Sequence, residues 1–164
     1  QKRDFYSRLG ILFQDVDSQL FNSTVYDEIA FGPRQLGLTE EVSQRVQDTL
    51  SLLKIEDLRD RVPYQLSGGE KKKVAFASIM VTNPDVYILD EPFNNLSKEY
   101  EEFFRELLHE LHSAGKTIIM SAHHFKHLHH EKADVILFED GKADFFPAQE
   151  VLSNQQVVER LSHY

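Results

Sequence analysis

Leu66-Ser67-Gly68-Gly69-Glu70, running on into Lys71-Lys72-Lys73-Val74-Ala75, is the stretch that decides how this chain folds. Two glycines at the start of a helix let the backbone come close to a ligand, and the first-turn N–H groups there lack helical partners. A serine hydroxyl and the positive end of the helix dipole complete a cradle suited to phosphate oxygens. Ser67, Gly68, Gly69 and Glu70 are therefore the candidate nucleotide-binding residues. Taken alone, the run fits an ordinary loop and helix cap at least as well. Residues further down the chain separate the two readings. Past Asn83-Pro84 comes Val86-Tyr87-Ile88-Leu89, a near-continuous apolar run of the kind found in a central parallel strand covered on both faces. It ends in Asp90-Glu91, at the strand tip where α/β sheets bind ligands. Asp90 is suited to hold Mg²⁺ directly or through water, and Glu91 to polarise an attacking water as general base.

Two more residues fall into this order. Gln14 ends the apolar run Leu9-Gly10-Ile11-Leu12-Phe13, where an amide can reach the metal or the attacking water. His123 comes after the strand pattern Thr117 to Met120, where an imidazole can contact a terminal phosphate. A solitary Gln or His at a strand end is usually structural; four elements in sequence form a constellation.

Around them the pattern is helical in front and α/β behind. Thr24 caps a helix that Gly32-Pro33 stops, and Thr39 caps a second with Val42, Val46, Leu50 and Leu53 on one face. Lys54 to Tyr64 is a charged connector. Ser67 opens a third helix to about Val81 whose inner face is Val74, Ala75, Ser78 and Ile79. A helix from Lys98 to Ser113 ends at Gly115, Val135 to Phe138 is a strand, and Asp140-Gly141 turns it into Ala143 to Phe146. A last helix starts after Pro147.

Composition narrows the function. The 164 residues carry 18 Lys+Arg against 27 Asp+Glu, a net charge of -9 that repels phosphate backbones, so no nucleic-acid partner is expected. No run approaches the roughly 18 apolar residues of a membrane span, so any membrane link goes through a partner. Cysteine is absent, which excludes disulfides and thiolate metal sites. The chain opens on Gln1-Lys2-Arg3-Asp4 with neither Met nor a leader, read as a cut inside a longer chain.

Taken together, these residues resemble the nucleotide-binding subunit of ABC transporters. Leu66–Glu70 is similar to the family signature, Val86–Glu91 to the Walker B strand, Gln14 to the Q-loop and His123 to the switch histidine. Gly10 to Gln14 with Asp17 to Phe21, Thr24 to Pro33, and Asp60-Arg61-Val62-Pro63 resemble the energy-coupling-factor branch, which takes up cobalt, nickel or vitamins. The resemblance implies an α/β fold, a partial P-loop NTPase (RecA-like) core with a helical signature subdomain. Residues 1–14 would end a core strand and carry the Q-loop, 15–82 form the helical subdomain, and 83–164 complete the core. It implies ATP and Mg²⁺, with Glu91, His123 and Gln14 catalytic, Asp90 and Gln14 at the metal, and Ser67 to Glu70 on the nucleotide. It also implies a second ATP-binding subunit, a transmembrane coupling protein and a peripheral place on the cytoplasmic face of the membrane.

The sequence departs from the family pattern in places. No Gly-x-x-x-x-Gly-Lys-[Ser/Thr] loop precedes Gln14, so this stretch alone is expected to bind ATP very weakly and not to turn it over. An exposed apolar sheet face or edge, inviting dimerisation, is expected with it. Ser97 stands where the family ends its D-loop in Asp, and His124 where Asp is common beside the switch histidine. These departures support an alternative, a non-hydrolysing or degenerate nucleotide-binding module with a regulatory or structural role. A chromosome-maintenance ATPase is disfavoured, because no heptad run separates Gln14 from Ser67. His123, His124, His127, His129 and His130 read as a solvated helix carrying one catalytic His, with a metal- or pH-sensing surface as the alternative. Lys71-Lys72-Lys73 reads as a dimer-interface and solvated face.

Overall fold

Val86–Leu89 (β2) is the middle strand of a three-stranded parallel sheet, flanked by Leu9–Leu12 (β1) and Thr117–Met120 (β3). The computed structural model describes residues 7–38, 40–124 and 133–162. By its contacts the chain divides into two units, residues 1–121 and 122–164. In the first, β1 crosses to β2 through three helices, Val25–Leu36 (α1), Val42–Leu53 (α2) and Gly68–Met80 (α3). A fourth, Lys98–Ser113 (α4), carries β2 over to β3.

Register sorts the strand residues into two faces. Leu12, Tyr87 and Leu89 are at most 1% exposed, and Tyr87 stacks on Phe76 of α3 at 5.7 Å. Phe76 in turn meets Phe104 of α4 edge-on at 5.6 Å, so the three rings fasten both helices to the sheet. Burial pushes the Tyr87 phenol up to about 12. On the opposite face Ile11, Ile88 and Ile119 stand side by side and are 41%, 37% and 54% exposed. The expectation that β2 is covered on both faces is therefore corrected. The strands alternate, because α3 and α4 pack on the Tyr87 side. An exposed apolar sheet face is present, as expected.

Glycine and proline misled the reading of α1. Gly32-Pro33 does not stop the helix, which runs on to Leu36 and ends at Gly37 with φ of 79°. Pro33 is buried inside it, and Leu38 N donates to Pro33 O at 3.0 Å to close the last turn. Gly32 serves packing instead: a Cβ there would lie 2.9 Å from Thr82 Cγ2 just beyond α3. Thr24 caps α1 as expected, accepting from Asp27 N at 3.0 Å. Glu28, one turn on, is buried, and its Oε2 accepts from the backbone N–H groups of Phe21 and Asn22 at 2.9 and 2.7 Å. That carboxylate ties down the loop after Gln14. Thr39, expected to cap α2, lies outside the described residues.

The second unit is a hairpin backed by two short helices. Val135–Glu139 (β4) pairs antiparallel with Lys142–Phe146 (β5) through Asp140 and Gly141, both left-handed at φ of 49° and 73°. Ala148–Ser153 (α5) and Gln155–Leu161 (α6) come after Pro147, and Val135, Val151, Val157 and Leu161 form a small core. Arg160 ties the hairpin together by bonding Glu139 and Asp144 at 2.9 and 2.5 Å.

Phe76 touches both the sheet and α4, so Phe76→Ala should cost about 3–5 kcal/mol of unfolding free energy. Urea denaturation followed by circular dichroism checks this; a midpoint unchanged from the parent chain would disprove the fastening role of the three rings.

Candidate functional site

The parallel ladder places three loops together. Asp90 N donates to Leu12 O at 2.9 Å and Ser121 N to Leu89 O at 3.0 Å, which carries the strand pairing beyond the formal strand ends. Residues 14, 90–91 and 121 thus emerge from the carboxyl ends of neighbouring parallel strands, where open α/β sheets place ligands. Gln19 secures the outer edge, accepting from Phe13 N at 3.2 Å and donating to Ile11 O at 3.1 Å as a surrogate strand would.

Glu91 is the centre of this cluster. It is only 7% exposed, and its φ of 46° lies in the left-handed region that side chains disfavour. Gln14 Nε2 donates to Glu91 Oε2 at 2.9 Å and Asn94 Nδ2 donates to the same oxygen at 2.5 Å. Ser121 Oγ accepts from Glu91 N at 3.0 Å and donates to Asp90 Oδ1 at 2.5 Å, so one hydroxyl fixes both acidic residues. Asp90 itself stays exposed. An exposed carboxylate buttressed on one oxygen fits an ion that keeps most of its water shell. Among the described residues, no three His, Cys, Asp or Glu side chains converge as an all-protein metal cage.

At the other motif, Ser67 caps α3 in a full capping box. Glu70 Oε2 accepts from Ser67 N at 2.8 Å and from Ser67 Oγ at 2.7 Å, while Glu70 N reaches back to Ser67 Oγ at 3.4 Å. The Ser67 hydroxyl holds the Glu70 carboxyl below its usual range, with the Ser67 backbone N–H adding to it. The two glycines divide the labour. Gly69 is pressed by the Tyr100 ring of α4, whose carbons lie 2.9 Å from where a Cβ would be. A Cβ on Gly68 would meet nothing within 4 Å, so its backbone is approachable by a ligand. An anion arriving at this helix end meets the Glu70 carboxylate already seated there.

The three lysines overturn the expectation of a solvated face. Successive helical residues turn by roughly 100°, so the run meets three different neighbours. Lys71 bonds Asp17 in the loop after Gln14 at 2.7 Å. Lys72 is 5% exposed and donates to Asn94 O at 2.9 Å and Glu91 O at 3.4 Å. Burial pushes its pKa down, and the Glu91 carboxylate opposes that shift. Lys73 donates to Leu53 O at 3.1 Å and lies 4.2 Å from the Phe103 ring centre.

The structure brings Gln14, Asp90 and Glu91 together, and ties the Ser67–Glu70 turn to them through α3. His123 and His124 belong to the second unit and are exposed; His127, His129 and His130 lie outside the described residues. Ser97 caps α4 by accepting from Tyr100 N at 3.4 Å, a task Asp performs equally well. Sequence reasoning missed Ser121, Asn94 and Lys72. Ser121 and Asn94 had weak signals, one just past a strand and the other three residues after Glu91; Lys72 had none, because a lysine on a helix reads as surface.

Residues 1–94 match the family model described as ABC transporter. A nickel import ATP-binding protein, LarO of Lactiplantibacillus plantarum, is 51% identical over 126 residues, covering 76% of this chain and 52% of that one. The energy-coupling factor transporter ATP-binding protein EcfA of Carboxydothermus hydrogenoformans is 35% identical over 159 residues, 96% of this chain and 59% of its own length. The solved structure of cbiO1 from Clostridium perfringens, part of the ABC transporter complex cbiONQ, superposes with a TM-score of 0.77 at 31% identity. It covers 96% of this chain and 64% of that one, in accord with the expected α/β class. The chain spans about half the length of LarO.

Ser67→Ala should raise the Glu70 pKa towards the ordinary glutamate range and cost about 0.5–2 kcal/mol of stability. The depressed folded pKa means the Glu70 contribution is fully present above the unfolded value and is lost as pH falls through the folded one. A carboxyl-carbon NMR titration of both variants tests this; identical Glu70 midpoints would remove Ser67 as the cause.

Proposed function

Because this chain belongs to the ABC transporter family, we propose that it forms part of an ATP-hydrolysing subunit that powers a membrane uptake transporter of the energy-coupling-factor type. One observation supports this above the others: a buried carboxylate, Glu91, aimed by two amide donors at the tip of a parallel strand. Such a group suits general-base work because its orientation is fixed before the reaction begins.

In this reading Glu91 takes a proton from the water that attacks the terminal phosphorus of ATP, giving ADP and inorganic phosphate. Gln14 and Asn94 keep the carboxylate from turning away. Mg²⁺ held at Asp90, with Gln14 beside it, would supply charge neutralisation for the triphosphate. Ser67, Gly68, Gly69 and Glu70 face ATP bound by a second ATP-binding subunit, and the open backbone at Gly68 favours that approach. His123 is assigned to the terminal phosphate by the family resemblance alone. The phosphate loop that holds ATP within one subunit is not among these 164 residues, so the reading concerns the subunit with such a loop in place.

The partner at the membrane is a transmembrane coupling protein, which would place this subunit on the cytoplasmic face. Among the described residues no helix is long and apolar enough to cross a membrane. The loop after Gln14 is suited to pass motion to that partner, because Lys71 and Glu28 connect it to α3 and α1. Cobalt, nickel or a vitamin is the expected cargo class. The non-hydrolysing alternative drew support from Ser97, but Ser97 retains the helix cap and leaves Glu91 in place, which favours a working base.

The test is ATP hydrolysis by the full-length subunit against its Glu91→Gln variant. A loss of about 10²–10⁴-fold in kcat is expected when a general base is removed. Equal rates would take Glu91 out of the chemistry.

A further inference from the structure

We infer that Lys72 is a positioning residue for hydrolysis, a clamp through which the signature helix holds Glu91 in its working conformation. The inference rests on the reading of Glu91 as the base and extends it to a residue on another element.

Backbone conformation creates the need for a clamp. Glu91 is left-handed at φ of 46° and Asn95 at 58°, so the turn between β2 and α4 contains two residues in a conformation that side chains disfavour. A turn of this kind persists only where its surroundings hold it. Asn94 N donates to Glu91 O at 3.1 Å, which closes the turn. The Lys72 ammonium then reaches the carbonyl at each end, Glu91 O at 3.4 Å and Asn94 O at 2.9 Å. Asn94 is also the residue whose side chain holds the Glu91 carboxylate, at 2.5 Å. One buried cation thus fixes the peptide that carries the base and the peptide that carries its orienting amide.

Lys72 sits on α3, five residues past the Ser67 cap. Where Ser67 and Gly68 meet the nucleotide of a second subunit, any shift of the helix start travels along one rigid turn to the Lys72 ammonium, and from there to Glu91. The contact therefore joins a subunit's own base to the nucleotide its signature serves. Lys71 and Lys73 make no such bond; they reach Asp17 and Leu53 O.

The experiment compares full-length subunits carrying Lys72→Met, Lys72→Arg and Glu91→Gln with the parent, scoring kcat per nucleotide-binding site together with KM. Lys72→Met should lower kcat at least tenfold with KM within about twofold, and Lys72→Arg should recover most of that loss. Counting bound nucleotide removes any unfolded fraction, so a merely structural role would leave the normalised kcat unchanged. Parent-like kcat in Lys72→Met, with Glu91→Gln inactive, overturns the clamp alone. Parent-like kcat in Glu91→Gln overturns both the clamp and the base. If Lys72→Met does not fold, Lys72→Gln carries the same measurement: reduced normalised kcat at unchanged KM supports the clamp, and parent-like kcat overturns it.

Discussion

The structure of this site depends on keeping one glutamate in a backbone conformation it would not choose. A left-handed residue other than glycine costs about 1–2 kcal/mol, and Glu91 also carries a charged group into a position 7% exposed. The turn meets these costs only in part, through Asn94. Gln14 comes from the end of β1, Ser121 from the end of β3, Asn94 from the turn itself and Lys72 from α3. Each supplies a hydrogen bond to one atom of Glu91, so four separate segments converge on a single residue. The bonds from Gln14 and Asn94 to the carboxylate and from the Lys72 ammonium involve a charged group, and bonds of that class are worth roughly 1.5–3 kcal/mol each, enough to outweigh the backbone strain.

Burial divides α3 along its length: its first turn is open, and its middle, residues 74–77, is buried all round. A helix that only displayed Ser67 and Gly68 could have a polar outer face. Here Val74, Ala75, Phe76 and Ala77 are wholly buried and the preceding lysines are spent on Asp17, the Glu91 turn and the end of α2. Gly69 is needed because the Tyr100 ring of α4 occupies its side-chain space. The glycine pair therefore serves two ends, one inside the subunit and one at its surface.

Much of the fold was legible because it depends on local pattern. Apolar runs marked β1, β2 and β3, Thr24 and Ser67 were read as helix starts, and Asp140-Gly141 as a hairpin turn. Gly32-Pro33 misled because a helix stop signal is a local preference, and packing of Gly32 against Thr82 overrode it. The residues of β2 read by themselves misled for a related reason: four apolar residues in a row do not say which face has a neighbour. At the site, the motif residues were visible by type and order. Their supports were not, since Ser121 lies 30 residues from Glu91 and Lys72 lies 19, and only tertiary contact makes either of them special.

If the Ser67–Gly68 turn and the Glu91 carboxylate serve nucleotides shared between paired subunits, Gly68 offers a direct probe. A side chain there meets nothing within 4 Å in the single chain. Sedimentation velocity would follow the full-length subunit carrying Glu91→Gln, with and without Gly68→Leu, on addition of Mg-ATP. ATP should drive dimer formation in the Gly68 form and fail to do so in the leucine form, although both bind ATP as single subunits. An ATP-driven dimer of equal strength in the leucine form would contradict the shared pocket.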